Sequence, residues 1–287
     1  MPSPLVIGVA GGARDREVAS ALLRTVLDGQ EPYGRAGVIG ARELYDGAAW
    51  TRRPDVAAEL LHLDEHLRAA RERGLRYLVL ELDEAAERGT RRLDLVCTVG
   101  AGGAGTARTA ERGLSFSARG ALADVGASRA ETHYGYLQFV AHTPAWSDRL
   151  AVPLTGLFNL GPVLGAVASA ALLGFDADHV FRCLLGAKAP GHGELLVSPD
   201  HRVLALVEES RSRRDAERLV AAARADYDDM TVEVVRGSRA IADAVSRAYA
   251  TADGSAQRLL VLLDDSSDAL EDAFQAAVRA HARLPLA

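Results

Sequence analysis

The chain has 287 residues, 48% of them hydrophobic and 25% charged, which suits one large or two modest globular domains. Its 33 basic side chains against 39 acidic ones leave a net charge of −6. With aromatic residues at only 5%, that balance excludes a nucleic-acid-binding surface as the main role. Lysine occurs once, at Lys188, and asparagine once, at Asn159, so every other basic side chain of this class is an arginine. Cys97 and Cys183 sit among apolar neighbours without CxxC or metal-ligand spacing, and read as small buried hydrophobes of a reducing compartment. The first eight residues carry no basic segment, so no secretory signal is expected. The apolar stretch 152–175 is broken by Gly and Pro and predicts a buried helix, not a membrane span. A cytoplasmic protein without membrane association is the expectation.

In chain order, LVIGV (5–9) predicts a strand, followed by Gly8, Gly11 and Gly12 and then helical spacing over 17–27. AGVIG (36–40) predicts a second strand. Residues 54–73 predict one amphipathic helix with Val56, Leu60, Leu61, Leu63 and Leu67 on its inner face, ended by Gly74. RYLVLEL (76–82) and LDLVCTV (93–99) predict buried strands. Strands alternating with helices imply a parallel, doubly wound α/β sheet. The Gly/Ala-rich segment 100–113 predicts a mobile loop. Alternation over 124–130, 136–142 and 149–153 predicts an antiparallel meander, and small-residue spacing over 160–173 and 178–185 predicts two helices. A second α/β unit follows, with strands at 202–207, 231–235 and 258–264 and helices at 215–225, 238–250 and 267–281.

The stretch 124–195 reads DVGASRAETHYGYLQFVAHTP, then RLAVPLTGLFNLGPVLGAVASAALLGFDADHVFRCLLGAKAPGHGEL. In order and spacing it resembles the Mur ligase family. The likeness is strongest to the UDP-N-acetylmuramoyl-tripeptide synthetase branch, which adds meso-diaminopimelate or lysine. AGVIGA, RRPD, and LVLEL followed by RLDLVCTV are weaker echoes along the rest of the chain. The resemblance implies a central domain over 1–196 with a parallel sheet plus antiparallel strands, then a shortened Rossmann-like C-terminal domain over 197–287. It also implies that the family's N-terminal UDP-binding domain is absent, since the phosphate-loop strand begins at Leu5.

The catalytic motifs depart from that family pattern. Where the family's phosphate loop reads GVTGTNGKTT, this chain has Gly8, Val9, Ala10, Gly11, Gly12, Ala13, Arg14, Asp15, Arg16 and Glu17. A working loop of this kind needs backbone N–H groups, a lysine on the phosphates and hydroxyls on magnesium. Asp15 takes the lysine position, and Arg16 and Glu17 take the hydroxyl positions. Glu81 matches the family's magnesium-binding glutamate, but the SSH that follows is replaced by Asp83, Glu84 and Ala85. TNxxxDHxD becomes Thr98, Val99 and glycine-rich sequence, and no lysine stands where the family carbamylates one. GRFN becomes Gly156, Leu157, Phe158 and Asn159, keeping the asparagine without the arginine. VPGRmE becomes Ala189, Pro190, Gly191, His192, Gly193 and Glu194, and the stacking Tyr and His of the C-terminal domain are lost near Glu208 and Glu209.

Three other groupings stand out. His62, Glu65 and His66 put two imidazoles at i and i+4 beside a carboxylate, without an evident third metal ligand; a solvated helix face is the plainer reading. Arg52 and Arg53 precede that helix as an anion site or as surface charge. Arg211, Arg213 and Arg214 form a basic loop opposite Glu208 and Glu209, an anion or partner site or, the plainer reading, a local ion-pair cluster. No GxSxG and no Ser–His–Asp order is present.

The expectation is a degenerate ligase homologue whose loop of Gly8, Gly11, Gly12, Arg14, Asp15 and Arg16 does not work on ATP. Arg52, Arg53, Asn159 and His192 are further cleft candidates, and Glu81 is a weak catalytic one. No cofactor or metal is expected. A partner is expected, either a second copy or a Mur-ligase-like protein, with a small-molecule ligand as another occupant. The alternative is a divergent amide-forming enzyme using Mg-ATP.

Overall fold

A computed structural model describes residues 2–29, 34–83, 93–120, 122–209, 212–251 and 257–281. Its contacts form two units. The first comprises Met1–Ala130, Gln138–Val152 and Phe158–Ala187; the second comprises Glu131–Leu137, Pro153–Leu157 and Lys188–Ala287.

The first unit is centred on four parallel strands, β1 (Leu5–Gly11), β2 (Ala36–Ile39), β5 (Tyr77–Leu82) and β6 (Leu95–Val99). Each is a near-continuous apolar run, as a strand covered on both faces requires. The short strands β3 (Glu43–Tyr45) and β4 (Trp50–Arg52) extend the sheet antiparallel beyond β2. On the other side β7 (Ala104–Arg108) and β8 (Gly113–Ser117) pair antiparallel next to β6. Beyond them lie β9 (Val125–His133), β10 (Tyr136–His142) and β11 (Ser147–Val152). The described strands run β11-β10-β9-β8-β7-β6-β1-β5-β2-β3-β4 across one sheet. The β9–β10–β11 meander is as the sequence predicts.

Segment 100–113, expected as a mobile loop, instead supplies β7. Its small residues serve packing against α4 (Leu160–Leu172). A Cβ on Gly161 would lie 2.4 Å from the Cα of Gly103, and one on Gly105 would lie 2.1 Å from the carbonyl oxygen of Thr98. Low side-chain volume here marks close backbone approach, not looseness. The helix α1 (Ala13–Asp28) packs Val18, Leu22, Leu23 and Val26 inward and lies beside α4.

The single helix expected over 54–73 is two. The first, α2 (Val56–Leu61), is capped by Asp55, whose side chain accepts from the Ala58 N–H. His62 breaks the run at φ −102°, ψ 19°, and α3 (Leu63–Glu72) follows. Val56, Leu60, Leu63 and Leu67 keep to one stripe against the core. Leu61 falls a helical step off that stripe and is 85% exposed, contrary to its expected inward position. The helix α5 (Ala177–Leu185) starts from an Asp176 cap and ends at Gly186.

The second unit holds a four-stranded sheet in the order β12 (His192–Val197), β13 (Val203–Glu209), β15 (Arg258–Asp264), β14 (Thr231–Arg236). The last three are parallel and β12 is antiparallel. The helices α7 (Ile241–Thr251) and α8 (Ser267–His281) bury Ile241, Val245, Leu270 and Phe274 against β13 and β15. The remaining helix, α6 (Arg213–Asp226), opens on Ser212, which caps the Asp215 N–H. The β9–β10 turn belongs to this unit by its contacts. Tyr134 and Gly135 both adopt positive φ there, as a tight hairpin turn demands. No described helix is long and apolar enough to cross a membrane.

Candidate functional site

The loop singled out by the sequence is short. β1 runs to Gly11 and α1 begins at Ala13, so Gly12 alone connects them, at φ −57° and ψ 142°. Gly11, at φ +137°, approaches β6 so closely that a Cβ would sit 2.3 Å from the Val99 carbonyl oxygen. A Cβ on Gly8 would meet Leu82 at 2.6 Å, whereas Gly12 faces open space. Of the three glycines, Gly11 alone is thus demanded by backbone packing, since the Leu82 methyl beside Gly8 can move aside.

The side chains of the first helical turns are engaged with their own surroundings. Arg14, 9% exposed, donates from Nη1 to Asn159 Oδ1 at 2.9 Å, and its guanidinium lies over the Phe158 ring at 4.7 Å. Asn159 is fully buried and occupies the N-cap position of α4. Asp15 lies in the first turn of α1, where a carboxylate suits the helix dipole. Arg16 turns back, its Nη1 reaching the carbonyl oxygens of Gly11 at 3.3 Å and Leu82 at 3.4 Å. Glu17 is buried and faces Arg42, Oε2 to Nε at 3.6 Å.

Glu81 ends this array. Its Oε2 accepts from the Ala41 N–H at 3.0 Å, and the backbone at Gly40 is so close that a Cβ there would lie 2.6 Å from Oε1. Burial pushes its carboxyl above the usual range, and the charge of Glu17 adds to the rise. The Ala41 amide, Arg16 and Ser20 act in the opposite direction. Arg16, Glu17, Arg42 and Glu81 therefore form a buried or half-buried polar array at the ends of β1 and β5, and Arg14 with Asn159 forms a second buried pair. Arg42 and Ser20 carried no motif signal, and Glu17 appeared in the sequence only as a lost hydroxyl.

The other predicted residues lie elsewhere. Arg52 closes β4 opposite Glu43, and Arg53 follows at φ +49°, its N–H bonded to the Arg42 carbonyl at 2.8 Å. Both are exposed. His192, on β12 of the second unit, is buried with Nδ1 3.6 Å from Glu208 Oε1. His62 and His66 do not act together. His62 is exposed beside Glu65, while His66 lies between Asp46, 2.8 Å from Nδ1, and Glu59, 3.1 Å from Nε2. Among the described residues no group of three or more His, Cys, Asp or Glu side chains is arranged to hold a metal. Arg213 pairs with Glu217 at 2.7 Å, and buried Glu209 accepts from Ser267; Arg211 lies outside the described residues.

No protein-family model and no curated protein sequence matches the chain. Solved structures do. MurF from Acinetobacter baumannii superposes with a TM-score of 0.61 at 14% identity, over 96% of this chain and 76% of that one. MurF ligase from Thermotoga maritima, solved in complex with ADP, gives 0.62 at 10% identity over 98% and 81%. The fold is Mur-ligase-like. The folylpolyglutamate synthetase of Lactobacillus casei shares it, with a TM-score of 0.60 at 12% identity over 95% of this chain and 90% of that one. At these identities the likeness speaks to architecture alone.

Proposed function

We propose that this chain is a Mur-ligase-like homologue without ATP-dependent ligase activity, acting as a binding subunit of the cytoplasm. The observation that carries the reading is the mutual engagement of Arg14 with Asn159, Arg16 with the β1 and β5 carbonyls, and Glu17 with Arg42. Catalysis of phosphoryl transfer rests on positioning and on neutralising developing charge. The residues present do not fit a magnesium nucleotide. Asp15 presents a carboxylate where a phosphate-binding cation belongs. Arg16 and Glu17 offer no hydroxyl to a metal, and Glu81 is wrapped by the Gly40–Ala41 backbone, its Oε2 accepting from the Ala41 N–H.

A cleft freed from chemistry leaves the fold available for recognition. The partner in this reading is a second copy of the chain or an active Mur-ligase-like protein. Titration calorimetry of the purified protein with Mg-ATP tests the first part: no binding heat and no phosphate release are expected. Saturable binding with hydrolysis overturns this reading and favours the divergent Mg-ATP enzyme. Light scattering, alone and with an intact Mur-ligase-like protein, tests the partner.

A further inference from the structure

Ser128, His142 and Ser147 lie on three neighbouring strands, β9, β10 and β11, and all three are exposed. Ser128 Oγ is 2.8 Å from His142 Nε2, and His142 Nδ1 is 3.2 Å from Ser147 Oγ. We propose that these residues form a hydroxyl–imidazole relay that transfers acyl groups from activated carboxylic esters, an activity independent of the array at Glu81.

The base and its orienting hydroxyl are fixed by a tight turn. Thr143 Oγ1 donates to the Trp146 carbonyl at 2.8 Å and accepts from the Ala145 and Trp146 N–H groups at 3.2 and 3.0 Å. The Trp146 indole N–H in turn reaches the Phe175 carbonyl at 3.1 Å. His142 and Ser147 flank this turn. With Ser147 Oγ accepting from Nδ1–H, the Nε2 lone pair faces Ser128, which is the tautomer that a general base needs. The nucleophile's strand is irregular at the same place. Arg129 takes φ +52°, and Ser128 and Arg129 are exposed in succession, where a regular strand would send the second inward. That kink leaves both Ser128 and the neighbouring cation exposed.

In the reaction, Ser128 Oγ attacks the acyl carbon while its proton passes to His142 Nε2. The bond from carbon to the leaving oxygen breaks, and that oxygen takes the proton. Water then attacks the acyl-serine with His142 again as base, releasing the carboxylic acid and restoring the hydroxyl. A face this open suits esters whose leaving group departs with little help, and p-nitrophenyl acetate is the probe.

The full chain is expected to release p-nitrophenolate catalytically and to carry an acetyl group on Ser128 when quenched. Ser128→Ala and His142→Gln each lower the rate about 100-fold, the scale of general-base assistance. Ser147 is a positioning residue: Ser147→Ala slows the reaction and Ser147→Thr restores it. Lys188, the single lysine, serves as the internal standard for background acetylation. A Ser128→Ala variant that keeps the wild-type rate, with an unchanged melting temperature, overturns the proposal. So does acetyl found on His142 or Lys188 but not on Ser128.

Discussion

Arg14 and Asn159 stand 145 positions apart in sequence and meet at 2.9 Å, joining the first turn of α1 to the first turn of α4. The bond is charge-assisted and almost fully shielded from water, so removing either partner takes a buried, charged contact away from the other. Asn159→Ala and Arg14→Ala are each expected to cost about 2 kcal/mol. Chemical denaturation of the two single variants and the double variant measures this, and the double is expected to be less destabilised than the sum.

Glu81 makes stability fall with rising pH. Its folded carboxyl holds a proton more tightly than its ordinary value of 4.5, so the favourable contribution is complete below that value. It is lost as the pH climbs through the raised folded value, where the buried group must ionise. Glu81→Gln removes that penalty. The melting temperature of the variant minus that of the wild type is therefore expected to grow from about pH 4.5 upward and then level off. A constant difference across this range contradicts the assignment.

Gly161 lies so near Gly103 that no side chain fits between α4 and the turn before β7. Gly161→Ala is expected to destabilise by about 2 kcal/mol, despite the better helix propensity of alanine, because backbone must shift to admit the methyl. Thermal unfolding reads the sign directly.

Burial pushes the Cys97 thiol up to about 11 and raises that of Cys183. Both are expected to stay unreactive toward a disulfide reagent at about pH 8 in the native protein and to react together on unfolding. Faster reaction of one thiol in native buffer reveals local opening of its helix or strand.

Where hydrophobic period and burial agree, the sequence is transparent. The strand at 258–264 and the helix at 267–281 stand where the pattern puts them, because one face of each is continuously apolar. The strands β3 and β4 were invisible, being three residues long and held by pairing with a neighbour, not by their own pattern. The division between α2 and α3 was masked by Leu61, which imitates a core residue without packing as one. At the candidate site, identities were legible and partnerships were not. Arg14 and Glu17 are plain in the sequence, but only the fold brings Asn159 to Arg14 and Arg42 to Glu17.

The six residues of α2 fully bury no side chain, only Val56 and Leu60 packing in part against the core, and His62 severs them from α3. A helix this short does not sustain itself, and its hydrogen bonds lie under little apolar cover. Its amides can therefore trade protons with solvent, and its backbone can admit a protease, while the sheet beside it stays closed. Hydrogen exchange along the chain should fall into a fast block over α2 and a slow one from Leu67 onward, with His62 as the seam between them.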